Sequence, residues 1–299
     1  MAGNLKEVRD RIASIKNTQQ ITKAMKLVSA AKLRKAQQAI QQMRPYADKL
    51  NEMLRNILSN LEGDAETVFG QEREVKKACI VVVTSNRGLA GAFNTNLIKQ
   101  TVHLVNGKYA DVRAQGGLSL LFIGKKGYEY FRRRYQDCNI ISGYVDLFND
   151  LSYEHVSNTS QFLMNRFAEG DFDAVEVVYA HFKNAAMQFP INEQWLPVAK
   201  MEKEESGDSS HRADYIFDPD KEQLLGYLVP SILQTTFQKF LLDTHASEHG
   251  ARMTAMDKAT ENADELLRDL RISYNKARQE AITKELSEIV GGAAALENG

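Results

Sequence analysis

The two ends of the chain limit what it can become. From about Glu222 to Val290 the sequence carries one helical pattern, and residues 3 to 61 carry a second. No proline follows Pro230, and Gly250 is the only glycine between it and Gly291. At about 1.5 Å per residue, a helix of almost seventy residues spans roughly 100 Å. A compact body of 33.7 kDa is much narrower. Helices of this length must find partners outside a single small core. The expected design is a shaft of two helices with a body between them in the chain.

The C-terminal pattern reads Met256, Ala259, Ala263, Leu266, Leu270, Tyr274, Ala277 and Ala281. Steps of three or four keep these on one face, near the 3.5-residue period of a left-handed coiled coil. Small residues in the seam let a partner helix lie close. The opposite face is polar: Arg268, Asp269, Arg271, Lys276, Arg278 and Gln279. Such a face is either solvated or touches another protein.

The N-terminal pattern runs Leu5, Val8, Ile12, Ile15, breaks at Lys16–Gln20, and resumes at Ile21, Met25 and Val28 before Leu33, Ala36 and Ile40. The polar break predicts a register shift, and Pro45 predicts a kink or a loosened turn. Residues 1–60 hold twelve Lys and Arg against four Asp and Glu, while residues 222–299 hold eight against twelve. The whole-chain net charge of −1 hides this asymmetry. A basic and an acidic helix suit an antiparallel pair. Nucleic acid is the rival partner for a basic helix, but the basic residues are spread around it and Tyr46 is the only aromatic among the first sixty residues.

Between the helices, Ala78–Thr84, Leu118–Ile123 and Ala174–Tyr179 are short apolar runs suited to buried strands. Helical patterns near 94–106, 125–135 and 152–169 alternate with them, which predicts a mostly parallel sheet covered by helices. The predicted fold class is therefore α/β. A long antiparallel coiled coil of N- and C-terminal helices joins a Rossmann-like α/β domain. The expected divisions are 1–61, 76–220 and 222–299. Trp195–Met201 and Tyr215–Phe217 suit an edge strand or hairpin, and Lys200–Arg212 an exposed loop.

Chemical motifs are weak. Ser85–Asn94 holds glycines at G-x-x-G spacing after a strand, without the spacing of a dinucleotide fingerprint or the Lys-Ser pair of a P-loop. A tight turn with Asn94 or Thr95 capping the next helix is the simpler reading; Gly124–Gly127 is similar. His245–His249 matches H-x-x-E-H, an inverted zinc-protease pattern, but no third ligand is evident. No serine or cysteine sits in a recognisable nucleophile elbow. Cys79 and Cys138 are the only cysteines, and no stretch of eighteen apolar residues exists. The chain reads as reduced, cytoplasmic and free of cofactors.

Specific blocks sharpen this. Arg11–Gln37 reads RIASIKNTQQITKAMKLVSAAKLRKAQ, Thr84–Asn96 reads TSNRGLAGAFNTN, and Ala246–Leu296 includes ASEHGARMTAMDKATENADELL and YNKARQEAITKELSEIVGGAAAL. In this order they closely resemble the gamma-subunit family of F-type ATP synthases over nearly the whole length. The resemblance implies a non-catalytic rotor within a ring of three alpha and three beta subunits, one copy per complex. Its α/β domain would meet the c-ring and the epsilon subunit, peripheral to the cytoplasmic face of a bacterial inner membrane. By motif matching it implies beta-subunit contacts at Lys23, Met25, Lys26, Arg252, Arg278, Gln279, Thr283 and Glu285, in one contact zone. It also implies c-ring contacts at Tyr215 and Asp218, in YIFDPD. Family members often carry cysteine where Ala90 stands here. The insertion with a cysteine pair found in thiol-regulated relatives is absent. The rival reading is a nucleotide-binding α/β enzyme with a coiled-coil appendage.

Overall fold

The computed structural model describes residues 2–59, 68–198 and 221–297. They form α1 (Ala2–Ser59), β1 (Ala78–Val83), α2 (Phe93–Asn106), α3 (Ala110–Ala114), β2 (Leu118–Ile123) and α4 (Lys125–Arg134). Then follow β3 (Asn139–Ile141), α5 (Tyr153–Ala168), β4 (Ala174–Phe182), β5 (Gln188–Leu196) and α6 (Lys221–Glu297). Compact units comprise Ala30–Ala251 on one hand and Met1–Ser29 with Arg252–Gly299 on the other.

The unit Ala30–Ala251 is built on a five-stranded sheet of order β3-β2-β1-β4-β5. The first four strands are parallel and β5 is antiparallel to β4. Strand alternation sends Ala78, Ile80 and Val82 to one face and Cys79, Val81 and Val83 to the other. The first face is covered by Phe93, Leu97, Leu104 and Val105 of α2 and Phe131 of α4. The second is covered by Leu163, Met164 and Phe167 of α5, by Phe237, Phe240 and Leu241 of α6, and by Leu54 of α1. Both faces are buried, which is why β1 and β2 read as unbroken apolar runs. Fully burying each such side chain is worth about 1.5–3 kcal/mol.

Helix α6 is not an appendage here. Residues 240–244 and 246–250 are all buried, so it is enclosed on every side. The Trp195 indole donates to the Leu233 carbonyl at 3.2 Å. Thr244 Oγ1 accepts from the Ala180 amide at 3.2 Å, and Ser247 Oγ donates to the Ala180 carbonyl at 3.1 Å. These hydroxyls take the place of a neighbouring strand beyond the end of β1.

Three expectations need correction. The strand after β4 is Gln188–Leu196, earlier than Trp195–Met201. It is an edge strand with Asn192 and Glu193 exposed and Pro190 inside it, so its pattern resembled loop. Asn94 does not cap α2; no side chain does. Instead its Oδ1 accepts from the Ser85 amide at 3.0 Å and ties the turn to the helix. Finally, α6 does not stop near Val290 but continues through Gly291 and Gly292; Pro45, on the exposed side of α1, lies inside that helix. Lys200–Arg212 and Tyr215–Phe217 lie outside the described residues.

Candidate partner-contact surface

In the unit Met1–Ser29 with Arg252–Gly299, α1 and α6 pair antiparallel. Cross-helix rungs fix the register. Arg9 Nη2 donates to the Tyr274 hydroxyl at 2.9 Å, Thr22 Oγ1 bonds Thr260 Oγ1 at 2.8 Å, and Lys26 Nζ meets Asp257 Oδ1 at 2.5 Å. Gln19 Nε2 donates to Asp264 Oδ1. The two residue numbers of a rung always total 282 or 283.

The covered positions of α1 here are Leu5, Val8, Ile12, Ile15, Gln19, Thr22, Met25, Lys26 and Ser29. Taking Lys26, their steps alternate three and four without interruption. The register shift expected at Lys16–Gln20 is therefore absent. The heptad core continues through polar side chains, and it does so because α6 offers Asp264, Thr260 and Asp257 opposite them. Ile21 and Val28, expected in the seam, are 59% and 57% exposed. On α6 the seam takes Leu267, 5% exposed, rather than Leu266 at 50%. Covered residues Met256, Thr260, Ala263, Leu267, Leu270, Tyr274, Ala277 and Ala281 complete an unbroken heptad alternation.

The candidate contact residues fall into two groups. Lys23 is exposed, Met25 and Lys26 are half-buried, and Arg252 is buried, all within two turns of the Lys26–Asp257 rung. Arg278, Gln279, Thr283 and Glu285 are exposed, beyond the Arg9–Tyr274 rung. Thr283 Oγ1 donates to the Gln279 carbonyl at 2.9 Å, so its hydroxyl is used within the helix. Arg252 and Arg278 are about 39 Å apart along α6 at the ordinary helical rise. One contact zone cannot hold both groups. Tyr215 and Asp218 lie outside the described residues.

The register exposes a feature that motif matching missed. By this register Ala2 stands opposite about position 281, and among the described residues no α1 residue faces α6 beyond it. Residues 282–293 are all exposed. Ile282, Leu286, Ile289 and Val290, at 45–66% exposure, share one helical face there. Counting rungs from a cross-helix pairing would have found this stripe; composition could not. Arg9 also draws the Tyr274 phenol below its usual pKa, chiefly through their hydrogen bond.

In the unit Ala30–Ala251, the glycine turns are spoken for. Thr84 Oγ1 accepts from the Gly127 amide at 2.9 Å, Asn86 Oδ1 from the Lys125 amide at 3.1 Å, and Ser85 Oγ donates to the Arg87 carbonyl at 2.7 Å. In sheets of this order, ligands settle beyond the carboxyl ends of the strands where the order reverses, here between β1 and β4. Thr244 and Ser247 of α6 hold the end of β4 at that point. This disfavours a nucleotide cleft there. His245 and His249 face each other, Nε2 to Nε2, at 3.1 Å. Among the described residues no group of three His, Cys, Asp or Glu could hold a metal ion. The buried Cys79 thiol is pushed up to about 12, because burial disfavours the thiolate. No described helix is long and apolar enough to cross a membrane.

A family model described as ATP synthase matches residues 4–296. An ATP synthase gamma chain of Cytophaga hutchinsonii is 50% identical over 295 residues, covering 99% of each chain. One of Chloroherpeton thalassium is 44% identical over 300 residues, covering 98% of each. Among solved structures, a chain of the Euglena gracilis mitochondrial ATP synthase (OSCP/F1/c-ring) aligns with TM-score 0.67 at 22% identity, covering 100% of this chain and 96% of that one. A chain of the rotor of the same enzyme aligns with TM-score 0.62 at 20% identity, covering 94% and 100%. Sequence identity of this extent over the full length leaves one conclusion: the chain belongs to the ATP synthase gamma chain family.

Proposed function

We propose that this chain is the central rotor shaft of a proton-translocating ATP synthase, turning with the c-ring and driving the beta subunits through their nucleotide states. The observation that carries the reading is the unpaired end of α6. Ile282, Leu286, Ile289 and Val290 present an apolar stripe to solvent. In a rotor, the surrounding alpha and beta subunits would cover such a stripe. Burying what is still exposed of the stripe would contribute up to roughly 3–7 kcal/mol before association costs are met.

The mechanism asks for stiffness along the pair and weak contacts around it. The unbroken heptad supplies the first. The second comes from side chains such as Lys23, Met25 and Lys26, and at a separate level Arg278, Gln279, Thr283 and Glu285. Contacts of about 1–3 kcal/mol hold a beta-subunit loop, yet break when the shaft turns. Arg252 is buried, so it acts by positioning its neighbours rather than by touching beta directly. The chain itself is non-catalytic. It works as one copy with three alpha and three beta subunits, the epsilon subunit and the c-ring, peripheral to the cytoplasmic face of a bacterial inner membrane. Tyr215 and Asp218 remain the candidate c-ring contacts.

Met25→Lys in the assembled complex tests the contact. It adds a cation beside Lys23 and Lys26, strengthening the hold of an acidic beta loop. ATP hydrolysis should persist while protons pumped per ATP fall several-fold in inverted vesicles. Unchanged pumping per ATP would sink the contact assignment. Failure of the chain to co-purify as a single copy with co-expressed alpha and beta subunits would sink the rotor reading.

A further inference from the structure

A cavity of about 590 Å³ lies in the unit Ala30–Ala251, between α1, the end of β4 and α6. That is within the roughly 300–1,000 Å³ of small-molecule sites. Its lining includes Arg44 of α1, His181 and Lys183 at the end of β4, and Lys239 and Asp243 of α6. Arg44, Lys183 and Lys239 make no ion pair or side-chain hydrogen bond among the described residues. Asp48 is the only other carboxylate in the lining among the described residues, so cations are in excess there.

Asp243 is the anomaly. Its side chain is only 7% exposed, yet Oδ2 has no hydrogen-bond partner. Buried polar atoms in native folds are nearly always bonded. The nearest cation is His181 Nδ1, at 3.4 Å from Oδ2. That is ion-pair range, slightly too long for a good hydrogen bond. Arg44 and Lys239 act on the carboxylate only at longer range, and burial holds its pKa above the usual carboxylate range. A carboxylate behind an imidazole fixes Nδ1–H as the inward donor, leaving Nε2 an acceptor in the neutral ring and a donor to an anion in the imidazolium.

We propose that Arg44, His181, Lys183 and Lys239 form a binding site for a phosphate-class oxyanion, with Asp243 orienting the His181 imidazole from behind. The anion would meet three otherwise unpaired cations. Bound at Nε2 of the imidazolium, it would leave the Nδ1–H directed at Asp243 and close the 3.4 Å gap. A divalent metal fits poorly, because the cations repel it and no set of three ligands exists among the described residues. Inorganic phosphate and the phosphate groups of a nucleotide share this chemistry. The site does not depend on the rotor reading.

The test is calorimetric titration of the full chain with inorganic phosphate and, separately, with ADP, against chloride at equal ionic strength. Saturable one-to-one binding of either is expected. Arg44→Gln and Lys239→Gln should each weaken it about ten-fold, the loss of one charge-assisted bond. His181→Asn should weaken it similarly. Lys35→Gln, removing an exposed cation of α1 outside the cavity, should leave it unchanged. Thermal melts confirm that each variant is folded. Tighter binding of ADP than of phosphate would support a nucleotide as the source, and equal binding would support phosphate itself. No saturable binding of either, or equal losses in Lys35→Gln and the cavity variants, would overturn the proposal.

Discussion

At Gly124 the backbone φ is +98°, and a Cβ there would lie 1.9 Å from the Thr84 carbonyl oxygen. Glycine is required for both reasons. The residue stands where β2 hands over to α4, and its amide donates to the Val145 carbonyl at 2.9 Å. Gly124→Ala should cost about 3 kcal/mol or more, from left-handed strain and the clash together. Gly143→Ala, with nothing within 4 Å and no positive φ, should stay within about 0.5 kcal/mol. Urea unfolding of the two variants checks the contrast. The G-x-x-G spacing marked a turn in the sequence and argued against a phosphate loop. The close approach to Thr84 is tertiary, and no local pattern could report it. Likewise Ile21 and Val28 looked like core because they are apolar. Their exposure follows from what lies across the helix pair.

The strands β1, β2 and β4 and the helices α2, α4 and α5 were legible to within three residues, because burial on both sheet faces leaves unmistakable apolar runs. The paired helices were legible in existence but not in phase. A seam with Gln19, Thr22 and Lys26 in core positions reads as a break when only one helix is considered. Thr22 is 8% exposed, and its hydroxyl bonds both the Gln19 carbonyl at 3.0 Å and Thr260 at 2.8 Å. Thr260 Oγ1 likewise lies 2.8 Å from the Met256 carbonyl, an alternative acceptor for its one proton. Each hydroxyl therefore keeps a partner when the other is lost. Thr22→Val with Thr260→Val replaces a polar rung by an apolar one of the same shape, which is neutral to stabilising. The double variant should gain about 1 kcal/mol in thermal unfolding, with each single variant near zero. A double variant less stable than either single variant would show that the hydroxyl rung is essential to the register. The Lys26–Asp257 pair, 39% and 46% exposed, is worth at most about 1 kcal/mol and falls with salt.

For the chain as a whole, the part of α6 that α1 covers ends at about residue 281. Upstream, α6 has α1 opposite it; downstream, residues 282–293 are all exposed. Among the described residues, deleting the chain from Ile282 onward removes no cross-helix rung and no core residue of either unit. The thermal midpoint of the isolated chain should therefore be unchanged. The same deletion removes Ile282, Leu286, Ile289 and Val290 from any surrounding ring of subunits. Even part of their burial energy, about 2 kcal/mol, corresponds to roughly 30-fold faster dissociation. Dissociation of the truncated chain from co-assembled alpha and beta subunits, followed by dilution and size-exclusion chromatography, measures this. A lowered midpoint in the isolated chain would mean that the end of α6 folds back on its own units. An unchanged dissociation rate would mean that partners grip the chain elsewhere, leaving Lys23–Lys26 with Arg278 and Gln279 to carry the association.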